Sequence, residues 1–84
     1  MSNFSPLERS LISKLDAEPS VRFAFRKRDG SIRDARGTRN LLFIPLRDHP
    51  KQIHPLSGTS VKYYDLDKGE WRSWTVGSIM QVFD

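Results

Sequence analysis

The sequence predicts a mainly β domain spanning residues 1–84: one N-terminal α-helix, then a small, strongly bent barrel of about five strands. Three observations predict it. Apolar residues recur at helical spacing up to Leu15 and then alternate from Val21 onward. Two hairpin signals follow, Asp29-Gly30 and the polar turn ending at Gly69, and sequential hairpins in a short chain favour a barrel. The chain is 84 residues long and contains no cysteine. Such a chain buries only about 60% of the surface its unfolded form exposes. Neither a disulfide nor a thiolate zinc site can supplement that modest core.

The helix is expected over 5–17. Ser5 is a good N-cap, Pro6 suits the first helical position, and Glu8 completes a capping box. Leu7, Leu11, Ile12 and Leu15 make one apolar stripe, and Glu18-Pro19-Ser20 closes the helix. A helix of about three turns is not stable alone, so the stripe should pack on the barrel, residues 21–83.

In the first strand Val21, Phe23 and Phe25 share one face, and Arg22, Ala24, Arg26 and Arg28 take the other. Asp29-Gly30 suits a two-residue type I′ turn, which would set Arg26 opposite Arg33. A bulged loop would shift the pairing by one and set Arg33 opposite Phe25; the sequence leaves both registers open. The return strand runs from about Ser31 to Arg36 and is ended by Gly37-Thr38. Leu41 to Ile44 is an apolar run of strand length closed by Pro45. Residues 45–58 hold three prolines and two histidines and read as a long exposed loop, a type that is either functional or mobile.

The second hairpin pairs residues 61–64 with 71–76. A four-residue loop, 66–69, puts Val61, Tyr63, Arg72, Trp74 and Val76 on one face. Lys62, Tyr64, Trp71, Ser73 and Thr75 fall on the other. Gly77-Ser78 is a break, and 79–83 supplies a last short strand.

The net charge of +4 is concentrated. Residues 22–39 carry Arg22, Arg26, Lys27, Arg28, Arg33, Arg36 and Arg39 against Asp29 and Asp34, an excess of five, while the rest of the chain is close to neutral. Concentrated positive charge attracts polyanions, so the expected partner is nucleic acid or an acidic protein surface. Solvation of a strand face and protection of a sheet edge are the plainer alternatives.

Several function classes lack support. No apolar run reaches the roughly 18 residues that span a bilayer, and no signal-peptide pattern opens the chain, so a cytoplasmic, non-membrane protein is expected. There is no cysteine nucleophile, glycine-rich phosphate loop or carboxylate pair in an apolar setting, so catalysis is not expected. Asp48, His49 and His54 are metal-ligand types in a proline-broken loop that does not fix their spacing, and no metal or cofactor is expected.

The run Val61-Lys62-Tyr63-Tyr64-Asp65 through Trp71-Arg72-Ser73-Trp74 resembles the strand-turn-strand of WYL-type domains. The stretch from Phe25 through Asp29-Gly30 to Gly37-Thr38-Arg39-Asn40-Leu41 is similar to a shorter group of bacterial and bacteriophage proteins with a WYL-like, Sm-type barrel. The resemblance implies a five-stranded SH3-like (Sm-like) barrel. It also implies a ligand- or nucleic-acid-sensing module, here without the usual helix-turn-helix. Arg72 is the arginine that matches the family pattern.

The candidate anion-binding residues are therefore the seven basic side chains of 22–39, with Lys62, Tyr64, Trp71 and Arg72. Tyr64 and Trp71 beside Lys62 could stack nucleic-acid bases; the competing expectation is that the N-terminal helix covers both rings. The leading function is a non-catalytic nucleic-acid-binding accessory module. Its rival is a protein-interaction module, such as a phage protein that inhibits a host enzyme or defence protein. Self-association through barrel edge strands is a further possibility.

Overall fold

The computed structural model describes residues 4–51 and 58–83. A helix, α1 (Pro6–Ala17), precedes β1 (Val21–Arg26) and β2 (Ile32–Thr38). Two 3₁₀ turns (Leu41–Phe43 and Leu46–Asp48) connect these to β3 (Ser60–Asp65), β4 (Glu70–Thr75) and β5 (Ile79–Phe83). The strands form one antiparallel sheet in the order β4-β3-β2-β1-β5, so β4 and β5 are its edges.

The capping box of α1 forms as the sequence predicts, Ser5 accepting from the Glu8 amide and Glu8 from the Ser5 amide. Leu11, Ile12 and Leu15 are buried, while Leu7 is exposed. At the other end of the helix the Thr38 hydroxyl lies 3.1 and 2.8 Å from the Leu15 and Glu18 carbonyls. The Arg39 amide donates to Leu15 as well. The end of β2 thus satisfies carbonyls that a helix terminus leaves open.

The helix stripe meets Val21, Phe23, Phe25, Ala35, Val61, Tyr63 and Trp74 in one core. Phe23 makes edge contacts with Tyr63 and Trp74 at centroid distances of 5.1 and 5.3 Å, geometry that aromatic rings prefer. Glu8 is buried in this core, where its carboxylate accepts from Trp74 Nε1 at 3.0 Å and from the Gly77 amide. Its capping role was legible in the sequence; this second role was not.

The structure settles one register that the sequence leaves open and corrects two local expectations. The β1–β2 register is the shifted one, with Phe25 opposite Arg33 and Arg26 opposite Ile32. Gly30 N donates to Lys27 O and Lys27 N to Ser31 O, closing a three-residue bulged loop in which only Gly30 has positive φ. A type I′ turn would force Asp29 into the left-handed region as well, at a cost an L-residue avoids here. Instead Asp29 accepts from the Ser31 amide and hydroxyl, bonds that pull its carboxyl pKa down.

Gly37 and Thr38 continue β2 rather than end it, pairing with Asp65 and Tyr64. A Cβ on Gly37 would lie 2.6 Å from the Tyr64 carbonyl oxygen and 2.7 Å from the Tyr63 ring, so glycine is required where β2 crosses β3. Leu41–Phe43 is a 3₁₀ turn, not a strand. The Asn40 side chain caps it by accepting from the Leu42 amide.

The β3–β4 pairing is as read from the sequence. Val61 faces Trp74, Tyr63 faces Arg72, Tyr64 faces Trp71, and Asp65 faces Glu70. Asp65 accepts from the Asp67 and Lys68 amides, and Gly69, at φ +66°, closes the loop onto its carbonyl.

Candidate functional site

The basic residues of 22–39 separate into distinct environments. At the base of the β1–β2 hairpin, Arg36 pairs with Asp67 (Nη2–Oδ1 3.1 Å). Arg39, largely buried, donates to Asp16 at 3.0 Å and to the Lys62 carbonyl. These two side chains tie β2 to the β3–β4 loop, to α1 and to β3. Arg22 is exposed on the outer face with its guanidinium over the Phe83 ring, 5.5 Å from the centroid.

The tip is different. Arg26, Lys27, Arg28 and Arg33 surround a cavity of about 360 Å³ between the hairpin and β4. None of the four has a carboxylate partner among the described residues. The register shift creates this arrangement. Opposite Phe25, Arg33 belongs to the inner face instead of joining Arg22 and Arg26 outside. On the neighbouring hairpin Arg72 sits opposite Tyr63 on the same inner face. Arg72 is half-buried, bonded to Glu70 at 2.7 Å, with its Nε 3.3 Å from Asp65 but not aligned for a hydrogen bond.

Phe25, Tyr63 and Trp74, all buried, complete the lining with Ser73 and Thr75. Tyr63 is wholly buried, and its hydroxyl, with the Arg33 guanidinium acting on it as a donor, has no acceptor among the described residues. Burial pushes its pKa up to about 12, with the Asp65 charge adding to the effect and Arg33 and Arg72 opposing it. The phenol is therefore a neutral donor at ordinary pH. Arginine offers no acceptor, so neither guanidinium can take its proton. A second cavity, about 420 Å³, is lined by residues 26–28 and 75–80 and shares Arg26, Lys27, Arg28 and Thr75 with the first.

Tyr64 and Trp71 stand together on the opposite face, and the segment after Pro45, not the helix, engages both. Tyr64 donates to Asp48 Oδ2 at 2.6 Å, which raises the phenol pKa, and Trp71 Nε1 donates to the Asp48 carbonyl at 2.7 Å. Tyr64 is buried and presents no open ring face for a base, a correction to the stacking expectation. Trp71 is partly exposed and Lys62 exposed.

His49 Nε2 lies 2.9 Å from the Leu41 and Ile44 carbonyls; both are acceptors, so this nitrogen carries the proton. His54 lies outside the described residues. Among the described residues no cluster of three or more potential metal ligands occurs.

Tyr63 is the site residue that sequence reasoning assigned to the core alone. Its signal was present in the second hairpin, where the four-residue loop sets it opposite Arg72. The shifted register, left open by the sequence, adds Arg33.

The strands make one antiparallel sheet in which β5 returns to pair with β1, with a helix preceding it. The sequence model of WYL_2, an Sm-like SH3 beta-barrel fold, matches residues 9–80. The chain belongs to this family. The match runs from within α1 into β5, so it includes both hairpins and every residue of the basic cleft. No curated protein and no solved structure matches the chain. No helix among the described residues is long and apolar enough to cross a membrane.

Proposed function

We propose that this WYL_2 barrel is a non-catalytic binding module whose hairpin tip takes an anionic polymer, the backbone of a nucleic acid. The reading is carried by one observation: four cationic side chains, none with a carboxylate partner among the described residues, line one cavity at the hairpin tip. Close like charges cost stability when nothing anionic lies between them, and a phosphate backbone relieves that cost. Backbone contacts of this kind carry little sequence preference.

The test is fluorescence anisotropy with single-stranded DNA and RNA across a potassium chloride series. Each phosphate contact on a single strand contributes about −0.7 to the log–log salt slope, so three to four contacts give roughly −2 to −3. A flat salt response, or no binding at low salt, removes the reading.

A protein-interaction module is a second reading, supported by a separate surface. The 3₁₀ segments expose Leu42 and Leu46 at 86% and 82%, with Leu41 and Phe43 partly exposed beside them. His49 and Asp48 pin this segment to its own carbonyls and to the β3–β4 face, so the leucines are held outward. An inhibitor of a bacterial enzyme or defence protein would use such a surface. A stoichiometric protein that co-purifies from bacterial lysate, resists nuclease and is lost in Leu42→Ser/Leu46→Ser favours this reading over the first.

A further inference from the structure

We infer that the cavity between the hairpin tip and β4 is a phosphomonoester pocket, with the Tyr63 hydroxyl and the Arg33 and Arg72 guanidinium groups binding a terminal phosphate. The inference rests on the nucleic-acid reading and sharpens it from backbone tracking to recognition of a 5′-phosphorylated nucleotide.

Two independent observations meet there. The first is electrostatic: Arg26, Lys27, Arg28 and Arg33 line the cavity without carboxylate partners among the described residues, and Arg72 adds an Nε without a well-aligned acceptor. The second is the Tyr63 hydroxyl, a fully buried donor with no acceptor among the described residues. A buried donor left unmade is costly, and an acceptor entering from the cavity removes the cost. Cationic side chains cannot supply that acceptor; an anionic oxygen can.

Charge and the set of donors favour a terminal phosphate over an internal one. The cavity has a buried aromatic floor of Phe25, Tyr63 and Trp74, and its volume of about 360 Å³ is at the small end of ligand pockets. An internal phosphodiester reaching Tyr63 brings two ester substituents into the cleft. A monoester brings one. It also carries about −1.5 to −2 charge at neutral pH and three strong acceptor oxygens, matching a converging set of donors better than a singly charged diester.

The experiment compares 3′-fluorescein decathymidylate with a 5′-phosphate against the same strand with a 5′-hydroxyl, and adds thymidine 5′-monophosphate as competitor. The 5′-phosphate should tighten binding about tenfold or more, the effect of hydrogen bonds to a charged group. Tyr63→Phe, which removes only the hydroxyl, should abolish most of that preference and keep the salt-dependent affinity for the hydroxyl-ended strand. Arg22→Gln, away from the cavity, should keep the preference. Competition by the free nucleotide as strong as by the phosphorylated strand assigns the pocket to free nucleotides; much weaker competition assigns it to strand ends.

Equal affinity for the two strands overturns the inference and leaves the nucleic-acid reading standing. A preference that persists in both Tyr63→Phe and Arg33→Gln overturns it as well. If neither strand binds at low salt, both readings fall.

Discussion

At the base of the β1–β2 hairpin Arg36 and Arg39 are bound to carboxylates, whereas at its tip Arg26, Lys27, Arg28 and Arg33 make no carboxylate ion pair among the described residues. The base and tip are parts of one hairpin with the same residue chemistry. What separates them is where their neighbours come from. Asp16 of α1 and Asp67 of the β3–β4 loop reach the base, while the tip borders buried rings and Arg72. Concentrated charge in a sequence therefore contains two populations, one used in folding and one left for a partner. Glu8 belongs to the first population: its carboxylate joins α1 to Trp74 and the Gly77 turn.

The comparison breaks first if the structural charges prove dispensable. Glu8→Ala orphans the buried Trp74 indole donor and the Gly77 amide, and should cost roughly 3 kcal/mol or more. For a domain of this size that is over about 12 °C in Tm by thermal unfolding. Arg39→Ala should cost about 2 kcal/mol, near 10 °C, because it removes hydrogen bonds to Asp16 and to the Lys62 carbonyl. Its nucleic-acid affinity should change little once the protein is folded.

Tyr63→Phe should move stability the other way, raising Tm by a few degrees, since it deletes a buried donor that finds no acceptor among the described residues. The same tyrosine gives a pH signature. Its folded pKa, about 12, is above the ordinary value of 10.0, so the folded chain retains a proton that the unfolded chain releases. Stability from this group is full below pH 10 and falls as pH rises toward 12. Chemical denaturation across that range should show a shallower decline in Tyr63→Phe.

The helix and the second hairpin were legible because their signals are local. Ser5, Pro6 and Glu8 fix the start of α1, and Asp65 with Gly69 fixes a loop of one length, from which every β3–β4 pair follows. The first hairpin was not legible, since Asp29-Gly30 serves a two-residue turn and a bulged loop equally. The choice between them decides which face holds Arg33. Leu41–Ile44 misled for a similar reason. Four apolar residues suit a strand, but the Asn40 cap turns the chain before a strand can form.

The division between bound and unbound arginines was out of reach, because the pairs that decide it join Arg36 to Asp67 and Arg39 to Asp16, 31 and 23 residues apart. Gly37 carried a signal that was read as a stop. Its role is spatial, and only the crossing of β2 over β3 reveals it.

The central claim is that the tip, and not the base, holds the charge available to a partner. The most direct test is the salt slope of single-strand binding in two variants of matched charge loss, Arg26→Gln/Arg33→Gln at the tip and Arg36→Gln/Arg39→Gln at the base. Two phosphate contacts are worth about 1.4 in slope on a single strand. The tip variant should lose close to that amount and the other variant almost none, with both remaining folded. Equal losses in the two variants, or a larger loss outside the tip, would contradict the account.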